Sequence, residues 1–281
     1  MLQTVALDHL RLIAITGADR QAFLQGQLTQ DVRSAGPAAT VLAGWADAKG
    51  RLQFAGHLFP WQAGAGEALA LLVPAELAEA LVRRLRLYVL RARVQVDVPE
   101  LRLTGVVVTG PDEVPAGALR LAGAPGRFLL AGAAVGGAEA GTIDDWRLAD
   151  IRDGLPAVLA ATAGEFVPHT LNLDLLGAIS FTKGCYTGQE IVARMKYLGR
   201  VKRRMFRFGA ATPPPVPGAT LAGSRGVAGQ VVSSAATPGG CEFLAAVVLD
   251  ELAGPLFLDG DAQVPVDRLG LPYAVPGNDA G

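Results

Sequence analysis

The apolar segments of this 281-residue chain are short, and this limits the folds open to it. Glu, Pro or Arg interrupts each long hydrophobic stretch well before the ~20 residues that a membrane-spanning helix needs. Residues of the AVILMFWYC class make up 51% of the chain and aromatic residues only 6%, so aliphatic side chains must supply most of the core. We therefore expect a folded globule with a substantial core and no transmembrane helix.

Hydrophobic periodicity in the first hundred residues predicts strands mixed with single helices. Residues 10–15 are apolar on both alternating sets of positions, with Arg11 as the one exception, and this indicates a strand buried on both faces. Residues 41–59 indicate strands broken by a turn at 47–50, and residues 69–73 indicate another strand. Pro74 then opens a helix in which leucines recur at every fourth position. This order favours an α+β sheet layered with helices.

Three consecutive prolines, Pro213 to Pro215, interrupt the chain because no regular element continues through them. Beyond them the sequence alternates strand and turn patterns to its end. We predict two domains, a larger α+β region over residues 1–205 and a smaller β domain over residues 206–281.

The first twelve residues carry Asp8 and alternate apolar with polar positions, which is typical neither of a signal peptide nor of an Arg-rich transit peptide. We therefore expect a cytoplasmic protein. The two cysteines, Cys185 and Cys241, form no metal-ligand spacing, and the three histidines are isolated from one another. Neither a disulfide nor a metal site is predicted.

Basic residues are concentrated in one stretch, although the formal net charge is only -1. Seven of them follow one another with no acidic residue between: Arg194, Lys196, Arg200, Lys202, Arg203, Arg204 and Arg207. Such a basic run is commonly a solvated surface, and the alternative is a surface that attracts an acidic ligand or partner. Nucleic acid is not expected as a partner, because few aromatic residues interleave with the charges.

One segment combines a thiol with features that stabilise negative charge. Cys185 precedes a helical pattern, and Thr187 with Glu190 has the spacing of a capping box, which predicts a helix that begins directly after Thr187. The unpaired N–H groups of a helix N-terminus favour an anion, and Lys183 adds a positive charge nearby. We interpret Cys185 as a candidate reactive or ligand-contacting thiol. The alternative is a small side chain that serves packing.

The run Lys183 to Glu190, KGCYTGQE, resembles the signature of the YgfZ family of folate-binding proteins. These are relatives of the glycine-cleavage aminomethyltransferase and of a mitochondrial iron–sulfur assembly factor. Other segments resemble the same family: residues 23–32, 47–51, 152–156, 165–168 and 172–173. The resemblance implies a multi-domain aminomethyltransferase-like folate-binding fold, in a ring around a central cavity, with a C-terminal β-barrel domain.

The resemblance also implies a ligand and the residues that serve it. Tetrahydrofolate is the implied cofactor, and Cys185 is the residue that we assign to catalysis. The residues that we assign to folate binding lie in the signature or near it: Lys183, Gly184, Tyr186, Gln189, Glu165 and Arg194. Gln53 falls where aminomethyltransferases carry a catalytic aspartate, and an amide cannot act as a carboxylate base. Independent enzymatic turnover is therefore not expected.

The function that the resemblance implies is tetrahydrofolate binding in the service of assembly or repair of iron–sulfur proteins, with a link to tRNA modification. Iron–sulfur client or assembly proteins are the implied partners, and the basic run would attract the glutamate tail of folate or an acidic partner. One alternative is a folate-dependent aminomethyl or methyl transferase, which needs a base that Gln53 does not supply. The other is a thiol-based redox or scaffold protein that acts through Cys185 without folate.

Overall fold

The structure is a computed structural model that describes residues 2–276 except 65, 111–112, 133–137, 198, 200 and 259–263. Arg200 of the basic run therefore lies outside the described residues. The strands are β1 (Leu2–Ala6), β2 (Leu10–Thr16), β3 (Val41–Ala46), β4 (Leu52–Ala63), β5 (Gly66–Pro74), β6 (Gln95–Asp97), β7 (Leu103–Val108), β8 (Leu119–Arg120), β9 (Arg127–Ala131), β10 (Glu139–Ala140), β11 (Arg203–Ala210), β12 (Thr220–Gly223), β13 (Gly226–Thr237), β14 (Gly240–Val248), β15 (Leu256–Leu258) and β16 (Val264–Leu269). The α-helices are α1 (Arg20–Gln25), α2 (Ala75–Arg86), α3 (Ile143–Arg152) and α4 (Gln189–Tyr197).

The first sheet is built from residues 10–97 in the strand order β3-β4-β5-β2-β6, and each neighbouring pair is antiparallel. Residues 12–15 of β2 are all buried, so the predicted strand is covered on both faces. Pro74 is the N-cap of α2, whose buried residues include Leu77, Leu81 and Leu85. Because these leucines repeat with the helical period, they bury one face of the helix.

The second sheet takes an inner strand from the start of the chain. Its order is β10-β1-β7-β9-β8, in which β1 runs antiparallel to β7 and parallel to β10. Arg127 of β9 forms ion pairs with Asp150 and Asp153 at the end of α3, with N···O distances of 2.6 and 2.7 Å. Its guanidinium carbon also lies 4.9 Å from the centroid of the Trp146 ring. These contacts fix α3 to the sheet.

The C-terminal part of the chain forms a closed barrel with the strand order β11-β14-β13-β12-β15-β16, completed by pairing of β11 with β16. Phe208 and Phe243 stack in its core with ring centroids 5.7 Å apart. The predicted α+β class with a C-terminal β-barrel is thus confirmed. The predicted domain boundary after residue 205 falls inside β11, and Pro213–Pro215 lie in the connection from β11 to β12.

The segment between α3 and α4 joins the first sheet to the barrel. Leu52 N of β4 donates a hydrogen bond of 2.8 Å to Phe166 O. Asn172 Nδ2 donates one of 2.8 Å to Met205 O of β11. One hydrophobic cluster accordingly includes side chains from both sheets and from the barrel strands β13 and β14. None of the described helices has the length and apolar character that a membrane crossing requires.

Candidate functional site

The signature loop, residues 183–190, is hydrogen-bonded to the turn that follows α1. Thr187 N donates to Gly26 O at 3.1 Å. Lys183 Nζ donates to Leu28 O at 2.6 Å and to Gln30 O at 2.9 Å. Two segments that the sequence singles out separately are therefore parts of one site.

The turn between β3 and β4 packs against the same loop. A Cβ built on Gly188 would lie 2.5 Å from Asp47 O and 3.2 Å from Gly50 Cα. Gly188 has φ of 81°, which glycine adopts without steric cost. A Cβ built on Gly50 would in turn lie 2.8 Å from Ile191 Cβ of α4. Backbone packs against backbone at this junction, so two segments distant in sequence, the turn after α1 and the β3–β4 turn, converge on the signature loop.

The predicted capping box at the start of α4 is wrong. The helix begins at Gln189, and the left-handed φ of 81° at Gly188 excludes that residue from the first turn. Gln189 Oε1 instead accepts a hydrogen bond of 3.3 Å from Tyr186 N. Contact with Asp47 and Gly50 selects the conformation of Gly188, and sequence spacing does not reveal this contact. Cys185 is consequently one residue further from the helix N-terminus than the capping box predicts.

Lys183 is a buried cation that ties the loop to the chain after α1. Only 6% of the residue is exposed, and its Nζ lies 5.1 Å from the centroid of the Tyr186 ring. Burial lowers the pKa of Lys183 to about 8, against the attraction of Asp31. Burial also raises the pKa of Tyr186 to about 12. The amine therefore has a structural task that the sequence alone does not indicate.

We predict that folding stability rises with pH between about 8 and 10.5 because of Lys183. The pKa of Lys183 falls from 10.5 in the unfolded chain to about 8 in the folded protein. Between these two values the unfolded chain binds more protons than the native state, so raising the pH destabilises the unfolded chain relative to the native state. The free energy of unfolding should rise by about 3 kcal/mol over this range. The neutral amine keeps two N–H groups, so it can still donate to both carbonyl acceptors. Urea unfolding across this range measures it, and in Lys183→Met the contribution should be missing. Parallel stability curves for the two proteins would contradict the prediction.

Exposed and buried residues alternate along the signature loop. Cys185 and Gly184 are exposed, whereas Lys183 and Tyr186 are buried and Gln189 is half-buried. The thiol of Cys185 is therefore accessible to a ligand or partner from solvent, and it does not serve core packing. Cys241 is buried in the barrel, so it is not an equivalent thiol.

Glu165 and Arg194, the remaining residues predicted to bind folate, lie at the margin of the site. Glu165 is exposed, and its carbonyl oxygen accepts a hydrogen bond from Arg51 of the β3–β4 turn. This contact brings the Glu165 segment to the site. Arg194 is exposed on α4. The structure thus brings Lys183 and Gln189 each into contact with Tyr186, while Glu165 joins the site through its backbone.

Two buried polar atoms near the loop have no hydrogen-bond partner among the described residues. They are Gln27 Oε1 and the indole N–H of Trp45. The backbone of Trp45 forms an isolated antiparallel β-bridge with Leu28, the residue after Gln27. A buried polar group without a partner costs about 1–3 kcal/mol, so such a pair indicates atoms kept for a ligand or for water. No local sequence pattern marks Gln27 as a residue of the site.

Gln53 is held by an arginine that the sequence also did not identify. Arg84 Nη1 donates to Gln53 Oε1 at 2.6 Å, and Gln53 Nε2 donates to Arg51 O at 3.2 Å. The Arg84 guanidinium lies 5.9 Å from the Trp45 ring centroid, and the Tyr88 ring meets Trp45 edge-on at 6.2 Å. Both polar ends of the Gln53 amide are satisfied, and the residue carries no group that accepts a proton at neutral pH.

The basic run is not a uniform solvated surface. Arg204 is buried and forms a bidentate pair with Asp174, with N···O distances of 2.6 and 2.9 Å. Lys202 and Arg203 are exposed, in keeping with a solvated surface over that part of the run. Within the described residues, no group of three or more His, Cys, Asp or Glu side chains is placed to hold a metal ion.

Comparison with curated proteins finds relatives named tRNA-modifying protein YgfZ. One from Vibrio vulnificus (strain YJ016) is 33% identical over 79% of this chain and 74% of the relative. Another, from Yersinia pestis (strain Pestoides F), is 31% identical over 98% of this chain and 93% of the relative. No protein-family model matches the chain.

Among solved structures, glycine cleavage system aminomethyltransferase T from Bartonella henselae matches with a TM-score of 0.71 and 16% identity, covering 96% of this chain and 86% of that one. The fold is therefore that of the aminomethyltransferases, here with the KGCYTGQE loop at the meeting point of three segments. The identities to the curated relatives carry the assignment further. The chain belongs to the YgfZ family.

Proposed function

We propose that this protein binds tetrahydrofolate beside the signature loop and assists the assembly or repair of iron–sulfur proteins in the cytoplasm. The observation that carries the ligand is the pair of buried, unpartnered polar atoms, Gln27 Oε1 and Trp45 Nε1. A reduced pterin ring presents both N–H donors and oxygen or nitrogen acceptors. One free acceptor and one free donor fit such a ring.

The same surroundings support binding without independent turnover. Tetrahydrofolate supplies one-carbon chemistry when it is bound, but the chain must supply any proton transfer. Gln53 is neutral and held by Arg84 and Arg51, and a general base at neutral pH needs a group that changes its protonation state. We therefore favour folate as a ligand that shapes or stabilises the site over folate as a substrate.

The exposed thiol of Cys185 supports the part of the proposal that concerns iron–sulfur proteins. Cys185 is accessible while the residues around it hold the loop in place, so its side chain is available to a partner protein without rearrangement of the fold. The words tRNA-modifying in the names of the relatives fit an effect on tRNA. We propose that this effect passes through iron–sulfur client proteins.

Calorimetric titration with tetrahydrofolate tests the ligand. Saturable binding is expected, and Gln27→Leu should weaken it about tenfold, because one hydrogen bond is lost at similar side-chain volume. The same variant should unfold at an equal or higher temperature, because it removes an unsatisfied buried oxygen. Gln21→Leu, at an exposed position of α1, is the matched control and should bind normally. Absence of binding heat in the unaltered protein would refute the ligand assignment.

A deletion strain tests the role of the thiol. Cys185→Ala should fold with an unchanged melting temperature, because the residue is exposed, yet it should fail to restore the activity of iron–sulfur enzymes. Thr182→Ala, exposed and outside the signature loop, should restore it fully. Full restoration by Cys185→Ala would remove the thiol from the function. Thiol chemistry that needs Cys185 but persists without folate would instead favour the redox or scaffold alternative.

A further inference from the structure

A pocket of about 280 Å³ lies at the opposite end of α4 from Cys185. Its walls come from the segment before the signature loop, from the last turn of α4, from the connection to β11 and from β11 itself: His169, Asp174, Phe181, Met195, Lys196, Gly199, Val201 and Arg204. Pockets for drug-sized ligands usually exceed roughly 300 Å³, so this one suits a smaller molecule.

His169 is the feature that needs an explanation. The residue is 2% exposed, and neither Nδ1 nor Nε2 has a hydrogen-bond partner among the described residues. Burial lowers the pKa of His169, with the positive charges of Arg204 and Lys196 acting in the same direction and Asp174 opposing them. The ring is therefore neutral at physiological pH, with one N–H donor and one acceptor nitrogen. An imidazole left unpaired in a pocket wall indicates a ligand group that is missing from the protein alone.

The charges around the pocket select the sign of that ligand. The Arg204 guanidinium is already neutralised by Asp174, and it also donates to His169 O at 3.0 Å. Lys196, in contrast, has no ion pair among the described residues, and its Nζ lies 3.4 Å from the centroid of the Phe181 ring. One uncompensated cation beside a neutral N–H donor favours a single anionic group. Met195, Val201 and Phe181 leave room for a short apolar body.

We propose that this pocket is a second binding site, for a small oxyanion whose phosphate or carboxylate group is held by Lys196 and the imidazole N–H of His169. The site is separate from the folate site of the proposed function, since Lys183 and Tyr186 line the other end of α4. It needs no folate for its own occupancy.

Titration of the protein with inorganic phosphate, and separately with benzoate, tests the site. The chain has three histidines, so imidazole NMR signals can be assigned by their loss in single variants. Saturable movement of the His169 signal is expected with at least one probe, while those of His9 and His57 stay in place. Phosphate alone would indicate a phosphate-bearing ligand, and benzoate alone a carboxylate with an apolar body.

Two variants and a matched control complete the test. His169→Phe and Lys196→Gln should each weaken binding of the probe about tenfold. Lys202→Gln makes the same charge change at an exposed position outside the pocket, and it should change the affinity for the probe by no more than about twofold. Lys196 is exposed, so Lys196→Gln remains informative if His169→Phe fails to fold. No movement of the His169 signal with either probe, or equal affinity in Lys196→Gln and Lys202→Gln, would overturn the proposal. Displacement of the probe by tetrahydrofolate would also overturn it, because the pocket would then belong to the folate site.

Discussion

Replacing Gly188 with alanine is expected to lower the free energy of unfolding by about 2–4 kcal/mol and to weaken tetrahydrofolate binding at least tenfold. The backbone at this residue has φ of 81°, and an added Cβ would meet Asp47 O at 2.5 Å and Gly50 Cα at 3.2 Å. Neither neighbour is a flexible side chain that can move aside. The signature loop would therefore detach from the β3–β4 turn, and the site assembled by that contact would open.

Gly177→Ala is the matched control for this change. Gly177 has φ of 67°, but a Cβ built there would meet no atom within 4 Å. Its replacement should show only the strain of a left-handed backbone, about 1–2 kcal/mol, with normal folate binding. Urea unfolding and calorimetric titration of both variants separate strain from lost packing. Equal losses in the two variants would show that the contact with the turn contributes nothing.

Arg127→Met should lower the free energy of unfolding by about 3 kcal/mol, the low end of the range for breaking a buried ion pair, because the arginine is buried but the two carboxylates stay partly exposed. Arg127 is 2% exposed and serves Asp150 and Asp153 at once, with distances of 2.6 and 2.7 Å. Burial raises the pKa of Asp150 even with the arginine present, although Arg127 itself opposes that rise. Without the guanidinium, two carboxylates share a site that holds no counter-ion, and α3 loses its attachment to the second sheet.

The loss in Arg127→Met should depend on pH. When the pKa of a carboxyl group is higher in the folded than in the unfolded state, the folded state loses stability as pH rises from the unfolded pKa through the folded pKa. The variant should therefore approach the stability of the unaltered protein in mild acid and diverge from it toward neutral pH. Arg127→Met with Asp150→Asn should recover part of the loss, because one of the two charges that repel each other disappears. A loss that is constant with pH and insensitive to Asp150→Asn would point to packing on Trp146 as the cause.

Local patterns predicted the elements of the fold well where burial alone decides the structure. The strand over residues 10–15, the helix after Pro74 and the C-terminal strands all follow from periodicity, because one buried face fixes each of them. The partner of β1 could not be predicted in this way. β1 pairs with strands about a hundred residues away or more, and periodicity contains no information about which edge a strand joins.

The candidate site shows the same division. The KGCYTGQE run identified the loop and the family, but not what its side chains do. Lys183 was expected beside a thiol and is instead bonded to carbonyls of a turn 153 and 155 positions earlier. Gln27 and Arg84 carry no local signal, since their importance depends on an unpaired oxygen and on a contact with Gln53. Such roles arise only when distant segments meet.

The pairing of β1 constrains how the nascent chain folds on the ribosome. Residues 10–97 can complete the first sheet as soon as they emerge, whereas Gln3 must wait for Val107 of β7. At about 5–20 residues per second of translation, that wait lasts roughly 5–20 s. A long apolar strand left unpaired for such a time would be prone to aggregate, but β1 has only five residues, and Gln3 and Thr4 among them are polar. Its brevity lets the amino-terminal strand remain hydrated until its neighbours have been made.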